Sequence, residues 1–272
     1  MRDLSLQFPV WFCDIWGVLH DGVEPHPATV DTLQRHRAAG GTVILVSNSP
    51  RSTQGVTRQL DQIGVPRNCY DAAVTSGDVT RDLMQQQHGG KLFHLGPERD
   101  ASIFDGLSIA CVPLGEATAV ICTGLYHDDR ETPDDYKVLL ADIRARNLTF
   151  ICANPDKVVR KGPKLLYCAG ALADAYQKLG GPVQMAGKPF KPIYDLARRR
   201  AATIRDHEVP IEAILAIGDG PETDIKGAAD QGIACVFMTG LDDQTGETAD
   251  AAVRKAVPGA RILRTVAALT WA

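Results

Sequence analysis

Four polar clusters in this chain carry residue types able to do chemistry: Asp14, Ser47 with Asn48, Lys188, and Asp219 with Asp224. Each stands where an apolar run stops. Val10 to Cys13 ends in Asp14, and Thr42 to Val46 ends in Ser47-Asn48-Ser49-Pro50. Pro182 to Met185 leads into Ala186-Gly187-Lys188-Pro189, and Ala213 to Ile217 ends in Gly218-Asp219-Gly220. A carboxylate at the end of a strand can coordinate a metal or act as a nucleophile. Asp14 and Asp219 together make a hard, oxygen-rich set of the kind Mg²⁺ prefers. Ser47 and Lys188 are suited to hold the oxygens of a phosphate. A metal and a lysine would offset the repulsion between an anionic nucleophile and an anionic substrate. Each cluster also has a plainer reading. Asp14 can cap a strand-to-loop turn, Ser47-Asn48-Ser49-Pro50 can be only a turn, and Lys188 can be a surface lysine. Asp219-Gly220 can be a turn with Asp224 in the first turn of a helix. Four such clusters at matching strand ends favour one shared site over four coincidences.

A shared site requires that these strands lie side by side and point the same way. After the first strand comes a loop, Trp16 to His26; Pro27 then starts a helix that Gly40-Gly41 ends, the usual asymmetry of Pro just inside and Gly just past. Val56, Leu60 and Ile63 give a second helix, closed by Gly64, and Ala72 to Thr75 reads as a third strand. The order β-α-β-α-β is the signature of a parallel sheet. The last third resumes it: a helix carrying Ile193, Leu196, Ala197 and Ile204, the strand ending at Ile217, a helix over Pro221 to Asp230, and a strand over Ile233 to Met238. Asp242 to Asp250 is a polar stretch, and Ala260 to Leu269 reads as a final strand and short helix. With the core strands parallel, Asp14, Ser47 and Asp219 emerge on one edge, where open α/β sheets bind their ligands.

The middle of the chain has elements of its own. Val79 and Leu83 fit a short helix ended by Gly89-Gly90, and Lys91 to Leu95, Leu107 to Val112 and Ala119 to Thr123 read as strands. Thr132-Pro133-Asp134-Asp135 is a helix start close to a capping box, with Tyr136, Leu139, Leu140 and Ile143 on the apolar face. Thr149 to Cys152 is another strand, closing at Ala153-Asn154-Pro155-Asp156, and a helix over Ala169 to Leu179 ends in Gly180-Gly181. The expected organisation is therefore an α/β core built from residues 1–75 and 185–272, with an α/β domain inserted at 76–184.

The 272 residues fit one large domain or two moderate ones, and a net charge of −4 leaves no basic surplus for a nucleic-acid backbone. Arg198-Arg199-Arg200 lies within a helical pattern and reads as a solvated face. The cysteines (Cys13, Cys69, Cys111, Cys122, Cys152, Cys168 and Cys235) are odd in number, lack a C-x-x-C pair and several sit in apolar runs. They suit buried free thiols in a reducing compartment. No run reaches membrane-spanning length, and no secretory h-region is present. A cytoplasmic protein is expected, with no membrane and no nucleic-acid partner.

Taken in order, the motifs resemble a known family. Asp14-x-x-Gly17-Val18, Ser47-Asn48, Gly187-Lys188-Pro189 and Gly218-Asp219-x-x-x-Thr223-Asp224-Ile225 look like the four motifs of the haloacid dehalogenase (HAD) phosphohydrolases. The middle segment, with Ala153-Asn154-Pro155-Asp156 and Ala169-Gly170-Ala171-Leu172, resembles the class IIA cap of sugar-phosphatase and nitrophenylphosphatase-like members. The resemblance implies a Rossmann-like parallel-sheet core with an inserted cap, a Mg²⁺ cofactor, an aspartyl-phosphate intermediate and a small phosphorylated metabolite as substrate. By motif position it implies Asp14 as nucleophile and metal ligand, with the Trp16 carbonyl and Asp219 as further metal ligands. It likewise implies Ser47, Asn48 and Lys188 as phosphate binders and Asp224 as a supporting carboxylate. Asn154 and Asp156 are candidates for facing the cleft, or else only make a Pro-containing turn.

One position departs from the family. Its phosphatases usually carry Asp two residues after the nucleophile, as acid to the leaving group; here the residue is Trp16. Indole is no general acid or base in this pH range, although its backbone carbonyl can still meet a metal. Asp21 and His20 follow in the same loop. A slow phosphatase is the first expectation, and a non-catalytic phospho-ligand binding protein the alternative. A dinucleotide-dependent oxidoreductase is disfavoured: no G-x-G-x-x-G follows the first strand, and Asp219 sits where a pyrophosphate needs neutral backbone.

Overall fold

A computed structural model of the chain describes residues 1–87, 90–161, 164–240 and 246–272. Along the chain the strands are β1 (Val10–Cys13), β2 (Thr42–Ser47), β3 (Ala72–Thr75), β4 (Lys91–Leu95), β5 (Ala110–Cys111), β6 (Ala119–Cys122) and β7 (Thr149–Cys152), then β8 (Val158–Lys161), β9 (Lys164–Tyr167), β10 (Val183–Met185), β11 (Ile214–Gly218), β12 (Ala234–Met238) and β13 (Ile262–Val266). Two compact units result. The first is Met1–Ser47, Thr57–Val74 and Lys188–Ala272; the second is Asn48–Val56 and Thr75–Gly187. The short segment Asn48–Val56 joins the second unit, where Thr53 donates its backbone N–H to Asp78 at 2.9 Å.

The first unit holds a six-stranded sheet of order β13-β12-β11-β1-β2-β3. Its registered neighbours are parallel. β1, β2, β11 and β12 are buried along their whole length, which is why they read as unbroken apolar runs. The chain builds outward from β1 through β2 to β3, then returns to the other side of β1 as β11 and continues to β12 and β13. The order thus reverses between β1 and β11. A crevice opens at such a reversal, because the connections leave the two strand ends in opposite directions. This is the Rossmann-like α/β core that the alternating elements imply.

Beneath the helix Pro27–Ala38, the rings of Trp11 and His36 stack at 3.8 Å between centroids and 7° between planes. Nδ1 of His36 bonds the Ser5 hydroxyl at 2.7 Å, and Nε2 is buried with no partner. Burial pulls the imidazole down to about 4, although backbone groups at Thr42 and Pro9 and the charge of Asp71 pull the other way. The unfolded chain titrates this group near 6.5. Between the two values the unfolded chain binds the extra proton, so stability is lost as pH falls from about 6.5 to about 4. The loss should reach about 3 kcal/mol by the lower value. Denaturant titrations at pH 7 and pH 4 should show it, and His36→Phe, which keeps a ring but cannot titrate, should remove that share of the pH dependence. An equal slope in both proteins would refute the assignment.

The second unit contains a parallel sheet of order β10-β7-β6-β4-β5 and a separate antiparallel hairpin, β8 with β9. Phe150 and Tyr176 stack at 5.2 Å in its core, where the Tyr176 hydroxyl donates to the Leu148 carbonyl at 2.7 Å. The capping box at Thr132 and Asp135 is present, but it opens a 3₁₀ turn, Pro133–Tyr136, before the α-helix Lys137–Ala145. Several elements differ from expectation. The strand expected over Leu107 to Val112 is only Ala110–Cys111, an exposed edge pairing with β4. The β8–β9 hairpin, the N-terminal helix Arg2–Gln7 and the helix Gly246–Ala256 were not foreseen. Residues 242–245 of the polar stretch, and Gly89 at the expected helix end, lie outside the described residues. The final segment is a strand, β13, with no helix after it among the described residues. No described helix is long and apolar enough to cross a membrane. All the cysteines are free thiols, and Cys111 is the exposed one.

Candidate active site

Asp14 is the first residue past β1, and its N–H donates to the Ile217 carbonyl of β11 at 2.8 Å. That bond extends the ladder by one step and sets Asp14 at the reversal point, level with the end of β11. Asp219 is the first residue past β11. Its carboxylate packs onto the backbone of the loop after Asp14: a Cβ on Gly17 would stand 2.0 Å from Asp219 Oδ2. Gly17 also takes φ +80°, so both space and conformation require glycine here. Ser47 closes β2 on the same edge, two residues beyond Leu45, the partner of Cys13, and is buried.

Asp224 is aimed by a wide turn. Pro221–Ile225 is a single π-helical turn leading into the α-helix Lys226–Asp230, in place of a continuous α-helix. Such widened turns recur at functional sites because they re-aim one side chain. Gly218 leaves the room: a Cβ there would lie 2.2 Å from the Asp224 carboxyl carbon. Asp224 Oδ2 accepts from the Gly220 N–H at 3.2 Å and the Thr223 hydroxyl at 3.3 Å.

Lys188 joins the carboxylates. Its ammonium donates to Asp14 Oδ1 at 2.6 Å and to Asp224 Oδ1 at 2.8 Å, and all three residues are over nine-tenths buried. Burial alone would lower the lysine, but Asp14 and Asp224 outweigh it and hold it well above its ordinary value. Lys188 is therefore a fixed positive charge. Burial, then the neighbouring charge of Asp224, pushes Asp14 above the usual carboxylate range, while Lys188 pulls the other way. Asp14, Asp219 and Asp224 each offer an oxygen within 4.8 Å of the others. All three donors are carboxylate oxygens. That donor set fits a hard divalent cation.

The remaining expected residues fall as follows. The Asn48 side chain is buried and donates from Nδ2 to Asp156 Oδ1 at 2.8 Å, within the second unit. Asn154 accepts the Asp156 N–H at 3.0 Å in an Asx turn. The Trp16 side chain lies over Gly22, where a Cβ would meet its Cη2 at 2.4 Å, and meets His20 edge-on at 5.4 Å. His20 Nδ1 accepts the Gly22 N–H at 2.9 Å, and burial holds the ring below its ordinary value. Asp21 Oδ1 accepts the N–H groups of Val23 and Glu24, which hold that carboxyl low. Tyr194 was not foreseen. It is buried in the helix Lys191–Arg205 with its hydroxyl where a Cβ on Gly227 would come within 2.1 Å. Burial and the charge of Asp224 raise its phenol. In sequence an aromatic on an amphipathic helix reads only as core, so nothing marked it.

A reversed parallel sheet with a carboxylate cluster and a buried lysine at its switch point places the chain in the α/β class. The comparisons with known proteins agree on the class. Residues 11–110 match a haloacid dehalogenase-like hydrolase model, and residues 185–269 match a HAD-hydrolase-like model. A hydrolase of the haloacid dehalogenase-like family from Brucella suis 1330 is 46% identical, covers 99% of this chain and 98% of its own, and superposes with a TM-score of 0.88. The chain belongs to the haloacid dehalogenase-like family of hydrolases. It is also similar to a 4-nitrophenylphosphatase of Schizosaccharomyces pombe, 23% identical over 88% of this chain and 86% of the relative. A glycerol phosphate phosphatase of Mycobacterium tuberculosis, in complex with calcium, shares the fold at a TM-score of 0.73, 22% identity and coverage of 99% of this chain and 74% of that one.

Proposed function

We propose that this hydrolase is a Mg²⁺-dependent phosphatase of the class IIA kind, acting on a small phosphorylated metabolite through an aspartyl-phosphate on Asp14. The observation that carries the reading is the buried Lys188 bridging Asp14 and Asp224 beside Asp219. Asp14 would attack phosphorus, so the Oδ–P bond forms as the ester P–O bond breaks and the leaving group departs as its oxyanion; water then cleaves the acyl phosphate, releasing phosphate and freeing Asp14. Lys188 holds Asp14 in line and meets the charge that gathers on the phosphoryl oxygens, and Ser47 donates to one of them. Asp224 fixes Lys188 and is not itself the nucleophile. Asp14, Asp219 and the Trp16 carbonyl would hold the cation, which when bound neutralises the substrate's charge. The family of the chain and the activities named for its fungal and mycobacterial relatives support this reading. The free, mostly buried thiols suit action in the cytoplasm.

Phosphate release from a panel of esters, with Mg²⁺ and after EDTA, tests it. Activity should vanish on chelation and return with added Mg²⁺. Asp219→Asn replaces a charged oxygen donor of the cluster with a neutral one. The Mg²⁺ concentration for half-maximal activity should rise by more than the roughly 10–100-fold that outer-shell changes cost. Full activity in EDTA, or an unmoved Mg²⁺ requirement in Asp219→Asn, would place the cation elsewhere.

A further inference from the structure

The chain passes between its two units at four bonds, and two of them are Ser47–Asn48 and Gly187–Lys188. Two proposed phosphate-holding residues, Ser47 and Lys188, are therefore each one bond from a residue of the second unit, Asn48 and Gly187. Both of these neighbours are held by the same turn. Asn48 donates from Nδ2 to Asp156 Oδ1 at 2.8 Å; a carboxylate only accepts, so the amide must present its nitrogen there. The other side of the amide lies on Gly187, where a Cβ would stand 2.3 Å from Asn48 Oδ1 and 2.8 Å from Pro155 Cδ. Any residue but glycine at 187 would push Asn48 away.

The turn that carries Asp156 is itself fixed. Its N–H donates to Asn154 Oδ1 at 3.0 Å, and the Gly170 N–H donates to the Asp156 carbonyl at 3.2 Å. Gly170 is packed so closely that a Cβ would come within 2.1 Å of the Pro155 carbonyl. On the other side, Ala186 N–H donates to the Cys152 carbonyl at 3.1 Å, which anchors the strand end just before Gly187. Asn48, Pro155, Asp156 and Gly187 thus form one packed knot, held by a hydrogen bond to a carboxylate, a strong kind.

We propose that Asp156 is a positioning residue that acts through Asn48. The Asn48–Asp156 bond clamps the crossings at Asn48 and Gly187 together, fixing the backbone from which Ser47 and Lys188 reach a phosphate. On this account the Asn48 side chain serves the clamp and is not a phosphate ligand. The inference rests on the phosphatase reading, in which Ser47 and Lys188 hold the substrate.

Asp156→Ala removes the acceptor, and Asp156→Asn keeps an acceptor oxygen in its place. In the full chain with Mg²⁺, KM and kcat for 4-nitrophenyl phosphate and the Kd of inorganic phosphate by calorimetry are measured for both. Asp156→Ala should raise KM and the phosphate Kd roughly 10–100-fold, the scale of a misplaced site, with a smaller fall in kcat. Asp156→Asn should stay close to wild type. Adding Asn48→Ala to Asp156→Ala should do no further harm, since each breaks the same bond. If Asp156→Ala fails to fold, Asp156→Ser, too short to reach Asn48, replaces it. A folded variant lacking the acceptor whose KM and phosphate Kd match wild type, or strictly additive losses in the double variant, would overturn the clamp while leaving the phosphatase reading intact. A wild-type protein that neither hydrolyses the ester nor binds phosphate would sink that reading, and the clamp's role with it.

Discussion

Asp14→Asn should abolish phosphate release, a loss of at least about 10⁴-fold, in a protein that melts no lower than wild type in the absence of metal. The two halves of this result come from one set of contacts. The amide oxygen is a poor nucleophile, and the substitution removes one of the charges that would hold the cation. The fold, however, should lose little with that charge. Asp14 is buried beside Asp224 and Asp219, and burial with the charge of Asp224 holds its carboxyl above the usual range against the pull of Lys188. A neutral side chain of the same shape relieves that conflict, and Lys188 keeps its 2.8 Å bond to Asp224. Strain of this kind, stored at a site and offset by the rest of the fold, is the usual trade between activity and stability. Phosphate release and a melting curve from the same preparation decide it. Retained activity would show that hydrolysis comes from elsewhere; a large drop in melting temperature would show that Asp14 is structural.

The strands that set this geometry were legible because burial on both faces leaves a simple trace. Val10 to Cys13 and Thr42 to Ser47 are apolar almost throughout, and both are fully buried. Asp14, Ser47 and Asp219 could be placed on one edge because strand ends are read from where such runs stop. What lies across the sheet could not be read so directly. Lys188 bonds Asp14 from 174 positions away and Asn48 bonds Asp156 from 108, and no local pattern encodes such pairings. The missed elements share a different cause. In the β8–β9 hairpin the apolar side chains face outward, Leu165 at 60% exposure, so alternation gave no buried face to recognise. The helix Gly246–Ala256 begins in a polar run and reads as a loop. Ala110–Cys111 is an exposed edge of two residues, so the longer apolar run around it overstated the strand.

Activity should climb steeply as the leaving group becomes a weaker base, with aryl and acyl phosphates turning over far better than alkyl or sugar phosphates. General acid–base help is worth ~10²–10⁴-fold, and Trp16 stands where the family resemblance would place an acidic residue. Neither neighbour in the loop replaces it. Asp21 is held ionised by the amides of Glu24 and Val23, so it has no proton to give. His20 is buried and kept neutral, with Nδ1 occupied by the Gly22 N–H. The leaving group must therefore depart as its anion, and its own basicity sets the rate. Trp16→Asp should restore part of the activity toward poor leaving groups and flatten the dependence. Trp16 is 37% exposed, so removal of its indole opens a surface dent over Gly22 and costs less than truncation in a sealed core. His20→Gln should leave the dependence as it was. A plot of log kcat/KM against leaving-group pKa for these three proteins carries the test. Fast hydrolysis of a sugar phosphate by the wild type would mean that another group delivers the proton. No hydrolysis of even an aryl phosphate with Mg²⁺ present would make the site one that binds a phosphorylated ligand without cleaving it.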